Sequence, residues 1–400
     1  MNELVLDRSA EESGDSTAEL FDHVPLARPW LGEEEAEAAR RVILSGWVSQ
    51  GPVTAEFEQA LANTIGADHA AATNAATSAL HLALLVSGVR PGDEVICPAT
   101  TCMATANAIC HAGAEPVFAD VDPDTFNLDP TSAEDQISGR TRAILLVHQI
   151  GLPADLKAFE SLARCRDLAL IEDAATALGA KYAGRFLGAH GRPTCFSFHP
   201  RKIITTGEGG MLVTGSAEQA ERARSLRSTG ASISDFDRHH AKGVLQQVYH
   251  EVGFNYRLTD IQAAIGLVQL RRLGQMLAER KAQAERYHRL LADVDEVQIP
   301  HVPPEAEPCW SSYCIKLRAA AAGHRDELIV QLAARGISCR RGIGPLYAEP
   351  FFRSHEPGLY LPGSEEVARS TLFLPIFPGL TVEQQESVVV ALKESLVAVR

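Results

Sequence analysis

The stretch that decides the reading of this chain is residues 194–215, TCFSFHPRKIITTGEGGMLVTG. Its ends, TCFSF and GMLVTG, are short apolar, β-rich runs. Between them a single lysine, Lys202, sits among hydroxyl residues ahead of a glycine cluster at Gly207, Gly209 and Gly210. A lysine kept for solubility needs no such setting. A lysine at the exit of a buried strand loses basicity by desolvation and can attack a carbonyl carbon. The glycines let the backbone pass where a β-carbon would intrude.

Outward from this stretch the chain shows a regular rhythm. From about residue 70, the β-rich runs HAAAT, DEVICP, EPVFADV, RAILLVHQ, LALIED, TCFSF and GMLVTG occur in turn, with helical stretches between most of them. Apolar runs of that length, separated by helices, predict an α/β fold with a mostly parallel sheet covered on both faces. Polar residues gather where the runs stop: Thr73, residues 98–101, His148, Glu172, Asp173 and Ser197. Ligands bind at the carboxyl ends of such strands, so the pattern predicts one pocket lined by several strand ends.

Two further motifs bear on that pocket. In LALIEDAATALGA a buried run delivers Asp173 to its end, where a bare carboxylate is costly without a partner. Taken alone, the residue reads as the cap of a following helix. NAATSALHLALL sets Ala76 and Thr77 at an expected helix N-terminus, where free N–H groups and the helix dipole suit an anion. By itself this motif reads as an ordinary capped core helix. Taken together, an amine, a carboxylate and an anion cradle are what pyridoxal phosphate requires.

The segments NAATSALHLALLVSGVRPGDEVICPATTCMATANAI, IEDAATALGA, FSFHPRKIITTGEGGMLVT, EVGFNYRLTDIQAAIG and LPIFPGLT together resemble the DegT/DnrJ/EryC1/StrS family. These are pyridoxal-phosphate aminotransferases of fold type I, acting mostly on nucleotide-linked keto sugars. The resemblance runs from about Val24 to the C-terminus. It implies a large domain with a mostly parallel seven-stranded sheet between helices, plus a smaller C-terminal α+β domain. It implies Lys202 as the Schiff-base lysine and proton carrier, and Asp173 as partner of the pyridine nitrogen. Ala76, Thr77 and Ser197 would hold the phosphate. Asn255 is similar to an asparagine that reaches the phosphate in the neighbouring subunit, which implies a homodimer with shared active sites.

The resemblance also implies an amino donor, usually L-glutamate, and a keto-sugar acceptor. A cyclitol or other cyclic ketone is an alternative acceptor. A sugar dehydratase of the same scaffold typically carries histidine at the lysine position, which argues against that reading; a non-catalytic cofactor-binding regulator is a further alternative. Three positions depart from the family pattern. Cys102 stands where an aromatic often stacks on the ring, Thr176 where a glutamine often approaches the ring hydroxyl, and Tyr347 where a histidine often faces substrate. Arg201 and Arg257 are candidates for donor carboxylate or diphosphate, with a surface ion pair as the plainer reading.

The bulk properties set the frame. Four hundred residues suit a large and a small domain. The expected division is a mobile acidic tail over 1–24, a pyridoxal-phosphate-binding α/β domain over 25–265, and a linking helix with the small domain over 266–400. With 37 basic against 51 acidic side chains, a formal −14, nucleic acid and anionic membrane are poor partners. The eight cysteines form no C-x-x-C pair and several sit in apolar runs, which reads as reduced thiols rather than a zinc site. The first residues lack the basic start and apolar core of a signal peptide, and no apolar run reaches membrane-spanning length, so a cytoplasmic protein is expected. DRHHAK (237–242) reads as a solvated loop within a flap over 230–250, not a metal site, and DVDPDTFNLDP as a turn region.

Overall fold

The computed structural model describes residues 23–241, 243, 246–354 and 358–399. Residues 1–22 of the expected tail over 1–24 and parts of the 230–250 segment lie outside the described residues.

Seven strands build the main sheet: β1 (His69–Thr73), β2 (Glu94–Pro98), β3 (Glu115–Ala119), β4 (Thr141–Val147), β5 (Ala169–Asp173), β6 (Thr194–Ser197) and β7 (Gly210–Thr214). Their order is β1-β7-β6-β5-β4-β2-β3. Only β7 runs against its neighbours; the others are mutually parallel. The apolar runs are continuous because both faces are buried. Along β4, Ile144 and Leu146 enter one core cluster while Ala143 and Leu145 enter the other. Phe196 and Cys195 of β6 divide in the same way, as do Met211 and Leu212 of β7. Because the strands share a direction, the ends at Thr73, Pro98, Val147, Asp173 and Ser197 gather on one edge. The antiparallel β7 brings its start, Gly210, to the same edge in register with Thr73 and Ser197.

The smaller unit is an antiparallel sheet of β8 (Val297–Gln298), β9 (Tyr313–Leu317), β10 (Arg340–Arg341) and β11 (Thr371–Leu374), ordered β8-β9-β11-β10. It shares a core with the helices Leu273–Leu291, Arg325–Ala334 and Val382–Ala398, around Tyr287, Tyr313, Ile315, Leu328 and Leu392. The two units are tied together. Asp120, just after β3, accepts from the N–H groups of Gly363 (2.8 Å) and Ser364 (2.7 Å) at the start of helix Pro362–Ser370. Lys316 of β9 pairs with Asp124 at 2.9 Å.

Two boundaries differ from the sequence reading. Val24 is not tail: it is buried, its N–H donates to Gly336 O (2.8 Å), and its carbonyl accepts from Ser338 N (2.9 Å), so it lies along the small domain. The division at 265/266 falls inside the helix Asp260–Arg271, which packs as one unit on the helices Glu33–Ser45 and Pro52–Ile65. Thr259 and Gln262 form a capping box that fixes its start. The small domain follows with Leu273–Leu291.

Gly210 shows why the glycine cluster exists. A β-carbon there would stand 2.5 Å from the carbonyl carbon of Ala75 and 2.6 Å from the nitrogen of Ala76. Both neighbours are backbone, which cannot swing aside. Gly210→Ala should therefore lower the thermal midpoint, a loss of about 1–3 kcal/mol by overpacking. Gly139→Ala, where an added β-carbon meets nothing within 4 Å, should leave the midpoint in place.

Candidate active site

Lys202 follows β6 in a loop held by its own hydrogen bonds and by Gln262 and Gln269 of helix Asp260–Arg271. The loop closes on itself through Phe198 N to Gly209 O (2.9 Å) and Thr206 N to Phe198 O (3.0 Å). Thr205 Oγ1 donates to Phe198 O (2.8 Å), Thr206 Oγ1 donates to Glu208 O (2.7 Å), and Gly207 takes a left-handed turn at φ +82°. The hydroxyls that surround the lysine in sequence thus build its platform. The half-buried Lys202 lines a cavity of about 510 Å³ at the carboxyl edge of the main sheet, walled on the other side by the small domain.

Asp173 reaches the same cavity from the end of β5. No helix follows it, so the capping alternative falls away: residues 174–180 are turns. Its Oδ1 accepts from Ala175 N (3.0 Å) and its Oδ2 from the hydroxyl of the fully buried Thr105 (2.8 Å), which contacts Thr101 Oγ1 at 3.1 Å. Beneath it, the buried Glu172 is balanced by His148 and by Arg192 Nε at 3.2 Å. Ala154 N donates to His148 Nδ1 (3.0 Å), so the ring proton sits on Nε2 and is donated to Glu172 (2.9 Å).

The third component is the start of helix Ala76–Val86. Its N-cap is Ala75, in extended backbone, and no side chain caps it. Ala76, Thr77 and Ser197 line the cavity there, so the free N–H groups and two hydroxyls face one volume. Burial sets the titration of the two charged groups. Desolvation pushes the Lys202 amine down, with Asp173 opposing. Desolvation also pushes the Asp173 carboxyl up, against the Ala175 N–H, the Thr105 hydroxyl and Lys202. An amine of lowered basicity, a carboxylate and an anion cradle around one cavity are equipped for carbonyl chemistry on an anionic ligand.

The remaining predicted residues divide. Cys102, Thr176 and Arg201 line the cavity. Cys102 is exposed at the start of helix Met103–His111, and the Thr176 hydroxyl is engaged, donating to His148 O at 2.9 Å. Tyr347 does not line it: the ring is buried and its hydroxyl donates to Glu365 at 2.8 Å. Asn255, exposed, and Arg257 also lie outside this chain's own cavity. Sequence reasoning passed over Thr105, Gln149, Ser311, Ser312 and Arg340, of which the last four line the cavity. Thr105 lies inside a quoted motif, one helical turn beyond Thr101, but its link to Asp173 joins positions 68 residues apart. His239 and His240 pack edge-on against Trp47, and among the described residues no group of three or more His, Cys, Asp or Glu is placed to hold a metal ion. Nor is any described helix long and apolar enough to cross a membrane.

Comparison with known proteins bears on most of the chain. The model of the DegT/DnrJ/EryC1/StrS aminotransferase family matches residues 29–393. Among solved structures, the aminotransferase TlmJ from Streptoalloteichus hindustanus is 34% identical, with a TM-score of 0.86 over 94% of this chain and 100% of that one. DesV from S. venezuelae, solved with a ketimine intermediate, is 35% identical, with a TM-score of 0.85 over 94% and 98%. Spr1654 from Streptococcus pneumoniae, a candidate sugar aminotransferase solved in a PLP form, is 28% identical, with a TM-score of 0.88 over 94% and 100%.

The Thr105 hydroxyl stabilises the ionised form of a carboxylate that burial disfavours. Thr105→Val should therefore move the Asp173 titration further up, read by isotope-edited infrared spectroscopy of the carboxyl band, and Thr105→Ser should restore it. An unchanged titration in the valine variant would show that the hydrogen bond carries no weight. The family match and the full-length structural likeness both agree with this geometry: the chain belongs to the DegT/DnrJ/EryC1/StrS family and is a pyridoxal-phosphate-dependent aminotransferase of fold type I.

Proposed function

We propose that the protein transfers an amino group from an amino acid, L-glutamate being the usual donor in this family, to a keto sugar carried on a nucleotide. The observation that carries the reading is the meeting of Lys202, Asp173 and the uncapped start of helix Ala76–Val86 in one cavity. These residues fit pyridoxal phosphate. The helix start with Thr77 and Ser197 suits its phosphate, Asp173 suits a protonated ring nitrogen, and Gly210 leaves the room that a β-carbon would take from the Ala75–Ala76 backbone. When bound, the cofactor supplies a carbonyl for an amine and a ring that withdraws electrons from the substrate carbon.

The chain's own residues then have separate tasks. Lys202 holds the cofactor covalently and, once displaced by the donor, carries a proton to and from the substrate carbon as base and then acid. Desolvation favours the first role, since a free amine is available at lower pH than for an exposed lysine. Asp173, fixed by Thr105 and Ala175, keeps a cation favourable at the ring nitrogen. Arg201 at the cavity wall is suited to the donor carboxylate or to a diphosphate. Asn255 and Arg257, outside their own chain's cavity, serve the neighbouring subunit in a homodimer with shared sites. Cys102 offers the ring no aromatic stacking, and Tyr347 acts on substrate only through the wall it supports. The similarity to Spr1654, a candidate sugar aminotransferase, and to the Helicobacter pylori aminotransferase PseC, involved in the biosynthesis of pseudoaminic acid, supports a sugar acceptor. The eight unpaired thiols suit a reducing, cytoplasmic setting.

Borohydride reduction of the cofactor-loaded protein should fix the cofactor to Lys202, located by peptide mass spectrometry. Lys202→Ala should take up cofactor without the adduct and lose turnover by ~10³-fold or more, since both bond and proton carrier go. Retained turnover in that variant would overturn the assignment. Adding nucleotide-linked 3-keto and 4-keto sugars to pyridoxamine-loaded protein should restore the pyridoxal absorbance with at least one of them; failure with all of them, alongside success with a cyclitol ketone, would redirect the acceptor.

A further inference from the structure

The seam between the two domains holds two bulky residues in left-handed backbone, Ile150 and Trp310, each at φ 53°. Such conformations are outliers for β-branched or large side chains and persist only where their surroundings fix them. Here the two strained turns are hydrogen-bonded to each other. Cys309 N donates to Gly151 O (3.0 Å) and Ser312 N to Ile150 O (3.3 Å), while Cys309 Sγ donates to Thr176 O (3.2 Å).

A buried cation locks the arrangement. Arg280, from helix Leu273–Leu291, is 2% exposed and has no carboxylate within ion-pair distance among the described residues. Its Nη1 instead donates to the carbonyls of Trp310 (3.1 Å), Ser311 (3.2 Å) and Ile376 (3.3 Å). Burying an arginine on carbonyls alone is costly, and what it fixes is the conformation of one short loop. That loop delivers Ser311 and Ser312 to the cavity wall facing Lys202 and Asp173. Neither hydroxyl has a hydrogen-bond partner among the described residues.

We propose that Ser311 and Ser312 form the subsite that reads the hydroxyl groups of the acceptor, with Arg280 as the positioning residue that sets the loop. The inference rests on the keto-sugar reading and deepens it. A serine hydroxyl both donates and accepts, which matches a polyol. The carboxylate of an amino donor is served by a cation rather than by neutral hydroxyls. A site built to pair with substrate hydroxyls rejects a ligand that lacks them, because its own polar groups are then left unpaired.

The test separates the two half-reactions in the cofactor-loaded protein. The probe is whichever nucleotide-linked 3-keto or 4-keto hexose restores the pyridoxal absorbance of the unsubstituted protein. Ser311→Ala/Ser312→Ala should raise KM for that sugar about tenfold, leaving the glutamate half-reaction and the thermal midpoint unchanged. Arg280→Lys should show the same split between sugar and glutamate, which a merely structural role would not produce. An unchanged sugar KM in the serine double variant, or equal losses in both half-reactions, would overturn the subsite while leaving the aminotransferase reading intact. Failure of every sugar with the unsubstituted protein would instead remove the keto-sugar reading, and the subsite with it.

Discussion

A carboxylate buried at the end of a strand is the constraint on which this site depends. Asp173 is 4% exposed and stands beside a second buried acid, Glu172. Two adjacent carboxylates cannot remain ionised in a protein interior unless each is compensated. The fold treats them differently. Glu172 faces away and is settled for good by His148 and Arg192, whereas Asp173 receives one backbone N–H and one hydroxyl and is left facing the cavity. A buried carboxylate with two hydrogen bonds but no permanent cation is suited to a ligand that brings its own. Lys202 shares that cavity, and desolvation lowers its basicity while Asp173 resists the change.

The architecture follows from the need to bring these groups to one edge. Parallel strands place their ends together, and the single antiparallel strand, β7, returns the chain so that Gly210 lies against the start of helix Ala76–Val86. One glycine thereby couples the lysine loop to the anion cradle. The small domain contributes the opposite wall, and its ties through Asp120 and Lys316 hold it against the large domain. Two of the non-glycine residues in left-handed backbone, Ile150 and Trp310, lie at this seam.

Much of this was legible in the sequence because the signals were local. The apolar runs marked all seven strands of the main sheet, and the polar residues at their ends marked the cavity edge. Lys202, Asp173, Ala76, Thr77 and Ser197, all read from short motifs, meet in one volume. What escaped detection was long-range. Thr105 acts on Asp173 across the sheet, and Ser311 and Ser312 come from another domain through a turn that no propensity favours. Tyr347 illustrates the converse: motif position suggested a substrate contact, but packing turned its hydroxyl to Glu365. Periodicity over 260–294 reads as one long helix or two; the structure has two, meeting at Arg272, whose side chain pairs with Glu34 and Glu35 at 2.8 Å each.

The central claim is that the buried carboxylate at 173 keeps the ring nitrogen of the bound cofactor charged. Nitrogen-15 NMR of protein loaded with ring-labelled pyridoxal phosphate reads that proton directly. The account predicts a protonated ring nitrogen across neutral pH, lost when Asp173 is replaced by asparagine. A neutral ring nitrogen in the unsubstituted protein, or a protonated one that survives the replacement, would contradict it.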